Sequence, residues 1–373
     1  MANEQPARQI QLTFRESEQP DAIDALLKVE DSSPQVWFVN LDNSGSSDAE
    51  TFRATLGYQN SNLFNKDHAL TATLTFAPED PSSTRQFGLN YHLPLYAHGA
   101  LLDFLVSDSE VSGGTVAENV EVSGKGSVFG ASYRRPLLSD GGLRHSWRVG
   151  LQYKLYNNSV DVSGATVESD VLSLPLELGY QLSYGGRKGV FGLDLSASAN
   201  IESGSHNTPE DYQRARNGAE PGWNLLRYRL SWDMPFRKDW MLRTWLRGQS
   251  SFDRLIPGEQ FGVGGAASLR GFEERSITAD TGNQATLELW SPAWRGLRGL
   301  LFYDAARMQN NALPGLDEPS ESLSSWGLGL RYGWKQQLSI ALDHGVILKG
   351  GGSDPEINQD GDSKTHFNLI YRF

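Results

Sequence analysis

The sequence lacks the residues and motifs from which most catalytic and metal sites are built. It has no cysteine, which excludes disulfide bonds and thiolate metal sites. Its seven histidines are scattered, without an H-E-x-x-H motif or a close pair at the spacing of metal ligands. No G-x-S-x-G nucleophile motif is present. We therefore predict that the protein is not an enzyme and has no catalytic residues, no metal and no cofactor.

Two further absences restrict the partners of the protein and its relation to a membrane. The net charge of −12 offers no basic surface to neutralise phosphates, which argues against nucleic acid as a partner. No apolar run approaches the ~18 residues that a transmembrane helix needs. A strand of a membrane barrel is apolar on one face only, so a hydrophobic fraction of 38% remains compatible with a β-barrel.

From residue 35 onward, the sequence is dominated by an alternation of apolar and polar residues. Trp147, Val149 and Leu151 alternate with Arg148 and Gly150, as expected for a strand with one face toward lipid. We predict an all-β fold, a 16-stranded antiparallel transmembrane β-barrel. Its strands begin near residues 35, 51, 68, 84, 99, 121, 144, 168, 189, 222, 239, 282, 299, 322, 337 and 364.

The lengths of the connections predict the orientation of this barrel. Connections after odd-numbered strands are often long, for example 202–221 and 251–281, whereas those after even-numbered strands are mostly short, for example 187–188. Long loops of bacterial barrels lie outside the cell and short turns lie in the periplasm. With an even number of strands, both termini are then periplasmic, and residues 251–281 form the sixth outer loop.

A soluble β-sandwich is the competing architecture, because its strands and turns look similar in a sequence. A sandwich buries its apolar face. Here that face carries Trp and Tyr at strand ends, a position typical of membrane interfaces, while the other face is dense in Gly, Ser, Arg and Glu. We therefore favour the membrane barrel.

One stretch, residues 258–304, resembles a known signature. It contains F-x-V-G-G-x-x-S-L-R-G-F-x-E, then D-x-G-N and an E-L-x-x-P run. This pattern resembles the sixth-loop signature of outer-membrane polypeptide-transport barrels related to BamA. It is most similar to the two-partner-secretion transporters, the TpsB family that includes FhaC, ShlB and HecB. Residues 39–53 resemble the first hairpin of the same transporters, and the chain ends on an aromatic residue, Phe373.

The resemblance implies that the sixth loop folds into the lumen, where its arginine pairs with an inward aspartate on the thirteenth strand. Carried over by motif, the arginine is Arg270 and the aspartate is Asp304, with Ala306 where the family usually has glycine. The alternative is a solvated Arg270 on an outer loop. The lumenal latch would comprise the tetrad Leu269, Arg270, Gly271 and Phe272 together with Asp304.

Further residues are assigned to the latch by their type and by the direction of their side chains. Glu288 and Asp343 are inward candidates for a second acidic partner of the arginine. The same alternation points Lys154 and Arg227 inward. Glycine permits backbone turns that a Cβ would block, so the residues expected to shape the loop are Gly262, Gly264 and Gly265.

The resemblance also implies a function. Residues 35–373 would be an outer-membrane barrel of a Gram-negative-type bacterium that exports a large, unfolded partner protein and contacts outer-membrane lipid. Residues 1–34, with a helix-like stretch at 21–29, would be a periplasmic linker or the remnant of a missing N-terminal POTRA region. The start of the chain has no apolar signal-peptide core, so we expect a mature or engineered form. Alternatives are a protein-insertion barrel, the membrane barrel of a fused secreted esterase, and a passive porin.

Overall fold

The fold is that of a computed structural model. It describes residues 8–17, 23–45, 51–81, 84–110, 114–117, 120–122, 125–137, 141–157, 159–162, 165–168, 170–318, 320–352 and 356–373. Residues 46–50, within the stretch that resembles a first hairpin, lie outside these ranges.

The first half of the barrel consists of eight strands, each antiparallel to its neighbours. They are β1 Gln35–Asp42, β2 Arg53–Leu63, β3 His68–Phe76, β4 Arg85–Leu95, β5 Ala100–Ser109, β6 Gly126–Pro136, β7 Leu143–Tyr156, and β8, made of Val171–Ser173 and Pro175–Gly186. Both parts of β8 pair with β7. At the interruption, the backbone N–H of Leu174 donates to the side chain of Asn200 (2.6 Å), so this group stays paired.

The second half supplies the other eight strands and closes the barrel. They are β9 Gly189–Asn200, β10 Asn224–Phe236, β11 Trp240–Ser250, β12 Thr281–Trp290, β13 Leu297–Gln309, β14 Glu321–Trp334, β15 Leu338–Lys349 and β16 Ser363–Arg372. β16 pairs with β1 from Asn368↔Asp42 to Arg372↔Phe38. The predicted all-β, 16-stranded antiparallel barrel is confirmed. None of the helices among the described residues has the length and apolar character to cross a membrane.

The two faces of the barrel wall differ in polarity, as the alternation in the sequence predicts. Outward positions carry large, exposed apolar side chains, among them Leu56, Leu74, Phe87, Phe129, Leu151, Leu178, Leu287, Leu301 and Leu328. Polar and charged residues alternate with them and face inward. An outer surface of this kind is suited to lipid contact.

The connections between β7 and β8, β9 and β10, and β11 and β12 lie beyond the same end of the barrel. The connection from β9 to β10 contains a short helix, α1 Pro209–Ala215, whose first turn is capped by Thr208. Tyr212 of this helix is fully buried in an apolar cluster that includes Trp223, Leu255 and Ile256. Burial raises the pKa of Tyr212 to about 12, so its hydroxyl stays protonated and donates to the carbonyl of Leu172 (3.1 Å).

The structure corrects the prediction of a helix-like stretch at residues 21–29. Ile23–Asp31 is a strand that pairs along its whole length with Arg8–Glu16, in a two-stranded sheet separate from the barrel. The alanine, leucines and lysine of this stretch favour a helix in isolation, but the hairpin partner satisfies the backbone instead. The pairing of this segment as a strand therefore overrides its intrinsic helix propensity.

Gly327 of β14 gives room to the inward ring of Phe302. A Cβ at Gly327 would lie 2.0 Å from the carbonyl oxygen of His344 and 2.4 Å from the Phe302 ring, whereas one at Gly333, on the same face of β14, meets nothing within 4 Å. We expect Gly327→Ala to destabilise the barrel by ~1–3 kcal/mol through overpacking. Denaturant unfolding in detergent measures this, with Gly333→Ala as the matched control. Equal stability of the two variants would contradict the packing account.

Candidate functional site

The longest connection between barrel strands is the loop of residues 251–280, which joins β11 to β12. Near its start it contains a short 3-10 helix, Pro257–Glu259, which is followed by a small hairpin of Phe261–Val263 and Ile277–Ala279. The R-G-F motif lies in the tip between these two short strands. Because the strands pair, the tip has a defined conformation.

Glycines give the tip its shape. Gly264, Gly265 and Gly271 have positive φ angles of 116°, 92° and 94°, which favour glycine. Gly262 does not need this freedom; a Cβ there would lie 2.6 Å from Nη1 of Arg275. Two of the three predicted loop-shaping glycines therefore turn the backbone, and the third leaves space for a side chain.

Arg270, at the tip, contacts Asp304 of β13 through two nitrogens on one edge of its guanidinium. Nε donates to Oδ2 (2.8 Å) and Nη2 donates to Oδ1 (2.9 Å), while the backbone N–H of Arg270 also donates to Oδ2 (3.2 Å). The guanidinium carbon lies 3.6 Å from the centre of the Phe302 ring. A planar guanidinium fits a carboxylate and an aromatic face at once, which a lysine cannot do.

The two candidates for a second acidic partner differ in distance. Glu288 of β12 accepts from Nη1 of Arg270 at 2.7 Å. Asp343 of β15 lies 4.0 Å from Nη1 and is instead paired with Arg331 at 2.7 and 2.8 Å. Glu288 is therefore the direct second acidic partner of Arg270, and Asp343 forms a neighbouring ion pair with Arg331.

The Arg270 cluster is buried, and each of its charged groups has hydrogen-bond partners within the protein. Arg270, Asp304 and Glu288 are 2%, 0% and 3% exposed, so each charge depends on the others for solvation. Thr286 donates to Asp304 (2.7 Å) and Trp290 donates to Glu288 (2.7 Å). Burial alone lowers the pKa of Arg270, but its hydrogen bonds to Asp304 and the charges of Asp304 and Glu288 outweigh it and raise the pKa above its ordinary value. Arg270 therefore remains a cation.

The residues beside Arg270 attach the tip to the wall by packing. Leu269 and Phe272 are both 0% exposed, and Ala306 packs with them. Gly271 donates its backbone N–H to Nε2 of His366 (3.0 Å). The rest of this apolar cluster consists of Val263, Ile277, Ala279, Met308, Leu323 and Ile347.

A second buried carboxylate, Glu259, anchors the start of the loop. It is 0% exposed and accepts from Nζ of Lys154 at 3.0 and 3.1 Å, with Arg227 at 3.4 Å. Tyr156 and Ser173 also donate to it, each at 3.0 Å. Alternation in the sequence points Lys154 and Arg227 inward, but their acidic partner lies on the loop, where no periodicity applies.

A third buried carboxylate, Asp280, anchors the end of the loop. It is 0% exposed, forms an ion pair with Arg216 after α1, and accepts from the backbone N–H groups of Leu255 (3.0 Å) and Asn311 (2.8 Å). Asp280 is the aspartate of the D-x-G-N motif, which was the signal for it in the sequence. The loop is thus held by carboxylate contacts at its start, tip and end.

Comparison with known proteins decides the family. A sequence profile of the haemolysin secretion/activation protein family ShlB/FhaC/HecB matches residues 22–332. The chain belongs to this family. It is a family of transporters rather than enzymes, and its members work with a secreted partner protein. The resemblance inferred from the motifs is confirmed, and membership identifies the chain as an outer-membrane barrel of protein secretion.

Solved structures agree with the fold of the family. CdiB from Escherichia coli is similar with a TM-score of 0.79 at 16% identity, over 100% of this chain and 69% of that chain. CdiB from Acinetobacter baumannii is similar with a TM-score of 0.74 at 19% identity, over 98% of this chain and 66% of that chain. BamA from Haemophilus ducreyi lacking POTRA domains 1–3 is similar with a TM-score of 0.62 at 14% identity, over 100% of this chain and 76% of that chain. No curated protein sequence matches the chain significantly.

Replacing Arg270 tests whether it holds the tip. Arg270→Ala leaves two buried carboxylates without their cation. We therefore expect the free energy that protects the amides of the tip against hydrogen exchange to fall by ~3–5 kcal/mol. Arg270→Lys should lose less, because one ammonium can keep one carboxylate contact. Hydrogen exchange of the amides of residues 268–272 measures the effect. Arg307→Ala, an exposed arginine of the same strand as Asp304, is the control, and exchange equal to that control would contradict the role of Arg270.

Glu259 predicts a pH dependence of the start of the loop. Burial raises the pKa of Glu259, but Lys154 and Arg227 outweigh burial and hold it below the ordinary value of 4.5. Its stabilising contribution is therefore complete above pH 4.5 and is lost as the pH falls through the lowered value. At pH 7, Glu259→Gln should increase hydrogen exchange of residues 255–263, corrected for intrinsic rates, and this difference should shrink in acid. Asp317→Asn, at an exposed carboxylate in the connection between β13 and β14, is the control. A difference independent of pH would contradict this electrostatic role.

Proposed function

We propose that the protein exports a large partner polypeptide from the periplasm to the cell surface, and that this polypeptide passes unfolded through the barrel. In this proposal, the loop of residues 251–280 is folded into the lumen and acts as its gate. The observation that carries the proposal is the buried contact of Arg270 with Asp304 and Glu288, which joins the loop tip to the inward residues of two barrel strands.

The way in which the loop is attached supports a gate rather than a permanent plug. Barrels of 16 strands are wide enough to leave an aqueous channel, so an unfilled lumen would leak. The loop closes this space through carboxylate contacts at three points, Glu259, Arg270 and Asp280. Breaking these contacts would free the loop while the strand pairing of the barrel stays intact.

The topology supports an orientation in which both termini are periplasmic. The connections 201–223 and 251–280 then lie on the outer side, and the short connections 187–188 and 237–239 lie on the periplasmic side. Residues 1–34 are proposed to be a periplasmic linker or the remnant of an N-terminal region. The outward apolar face contacts outer-membrane lipid, and the acidic chain has no role in binding nucleic acid.

A protein-insertion barrel is the second candidate. The observation in its favour is the short seam between β16 and β1, where the ladder runs only from Asn368 to Arg372. However, Asn43 adds hydrogen bonds to the backbone of Thr365 and Phe367 (2.7 Å each), which hold the seam together beyond the ladder. We therefore place transport through the lumen ahead of insertion through the seam.

Secretion and conductance, measured in parallel, test the proposed function. The partner is identified as the protein that disappears from the culture supernatant when the gene is deleted. Arg270→Ala and Asp304→Ala should reduce its secretion about tenfold or more, because they break the buried pair. In planar bilayers they should give larger or noisier currents. Arg307→Ala should behave as wild type.

The alternatives give different results in the same experiment. Unchanged secretion with steady, ordinary conductance in both variants would favour a passive porin. Loss of several outer-membrane proteins on gene deletion, without loss of a supernatant protein, would favour an insertion barrel. Esterase activity of the fused, full-length parent would favour the barrel of a secreted esterase.

A further inference from the structure

The loop of residues 251–280 uses one side of the inward wall and leaves the other side open. Its contacts reach β7, β8 and β10 through Glu259, β12 and β13 through Arg270, and β15 and β16 through Gly271. On the side of β1–β6, the charge of Glu274 interacts with that of Arg53, at the outer end of β2. The remaining inward face of β2–β4 differs from the loop side in charge and in exposure.

This inward face forms a surface without charged side chains, which we call the neutral strip. Its three cross-strand rows run through β2, β3 and β4, with Thr73 of β3 at the centre. The rows are Thr55–Thr75–Gln86, Gly57–Thr73–Gly88 and Gln59–Thr71–Asn90. Every member is a glycine, a threonine, a glutamine or an asparagine. Charged groups occur only at its ends, Asp42 and Arg53 on the outer side and His92 with Asp103 on the other.

The neutral strip is accessible where the loop side is not. Six of its nine members, Thr55, Gln59, Thr71, Thr73, Thr75 and Asn90, are partly exposed. The other three, Gly57 beside the Phe38 ring, Gln86 and Gly88, are buried. At corresponding inward positions of β12–β15, polar side chains are almost fully buried beneath the loop, namely Gln284, Thr286, Glu288, Asp304, Ser325 and Asp343. Water therefore reaches the lumen wall along the neutral strip while the loop is in place.

Many inward charges of the opposite side are already paired within the barrel. Their pairs are Arg148 with Glu177 and Asp194, Arg243 with Asp233, Arg331 with Asp343, and Lys154 with Glu259. A polypeptide that moved along this side would have to compete with these pairs. Along the neutral strip it would meet no fixed charge that could hold or repel its side chains.

We propose that the neutral strip is the surface along which the secreted polypeptide slides, in extended form; this rests on the proposed export function. Hydroxyl and amide groups donate and accept hydrogen bonds, so they can exchange partners with any peptide backbone. Two opposite charges a few ångströms apart near a protein surface attract each other strongly enough to trap a passing residue. A wall without charges therefore tolerates acidic and basic segments alike. The closed barrel offers no free strand edge, so the contact is through side chains.

Cross-linking of a stalled export intermediate tests this surface. The chain has no cysteine, so a single one can carry a thiol-specific benzophenone. Thr73→Cys probes the neutral strip, and Ser231→Cys is the matched control, an inward, partly exposed hydroxyl residue of β10. The probe is the supernatant protein defined by gene deletion, fused to a domain that folds tightly and blocks its exit. We expect cross-links from position 73 and few or none from position 231.

Each other result overturns a stated part of the account. Cross-links from position 231 that equal or exceed those from position 73 would overturn the neutral strip while leaving export through the lumen intact. No cross-links from either position, with normal secretion of the unfused protein, would overturn passage through the lumen and with it the proposed function.

Charge insertion provides an independent readout. Thr73→Glu should slow secretion several-fold, and Ser231→Glu should do so much less, with both variants folded as judged by heat modifiability in detergent. Equal secretion by the two folded variants would contradict the neutral strip.

Discussion

The structure depends on one buried interaction, the contact of the Arg270 guanidinium with the carboxylates of Asp304 and Glu288. Each of these groups is almost without solvent, so each needs the others to remain charged. The arrangement imposes conditions on its surroundings. Gly271 must turn the backbone, and Gly327 must leave space for the Phe302 ring beneath the guanidinium. Thr286 and Trp290 must supply the remaining hydrogen bonds.

In the mechanism that we propose, this dependence divides the barrel wall into two halves with different roles. The hydrogen bonds of the loop reach strands between β7 and β16, where inward charges are numerous and many of them are paired. The neutral strip on β2–β4 carries no charges and remains accessible. Attachment needs specific, directional charge pairs, whereas sliding of an unfolded chain needs weak and exchangeable contacts. Both requirements are met in one closed sheet because inward residues can be chosen strand by strand without changing the backbone pairing. We regard this division as the physical basis of a transporter whose gate and path coexist.

Much of the fold was predictable because a barrel strand alternates with a strict period, so all sixteen strands begin within a few residues of their predicted positions. The loop motif identified Arg270 and Asp304, which the structure brings together, and alternation identified Glu288. Glu259 and Asp280 were missed as anchors, because contacts between a loop and distant strands follow no sequence period. The strand at Ile23–Asp31 was mistaken for a helix, because its composition favours one and its hairpin partner is invisible to local propensity.

The most direct test of the account is whether the loop must leave the wall for secretion to occur. Ser268, beside Arg270, accepts from the amide of Gln284 on β12 through its carbonyl (3.0 Å), so cysteines at these two positions can be joined by a short, reducible bis-thiol crosslinker. Secretion of the supernatant protein is then measured before and after reduction. We expect secretion to stop in the tethered barrel and to resume when the tether is reduced. Secretion at the same rate in both states would contradict the loop as the gate.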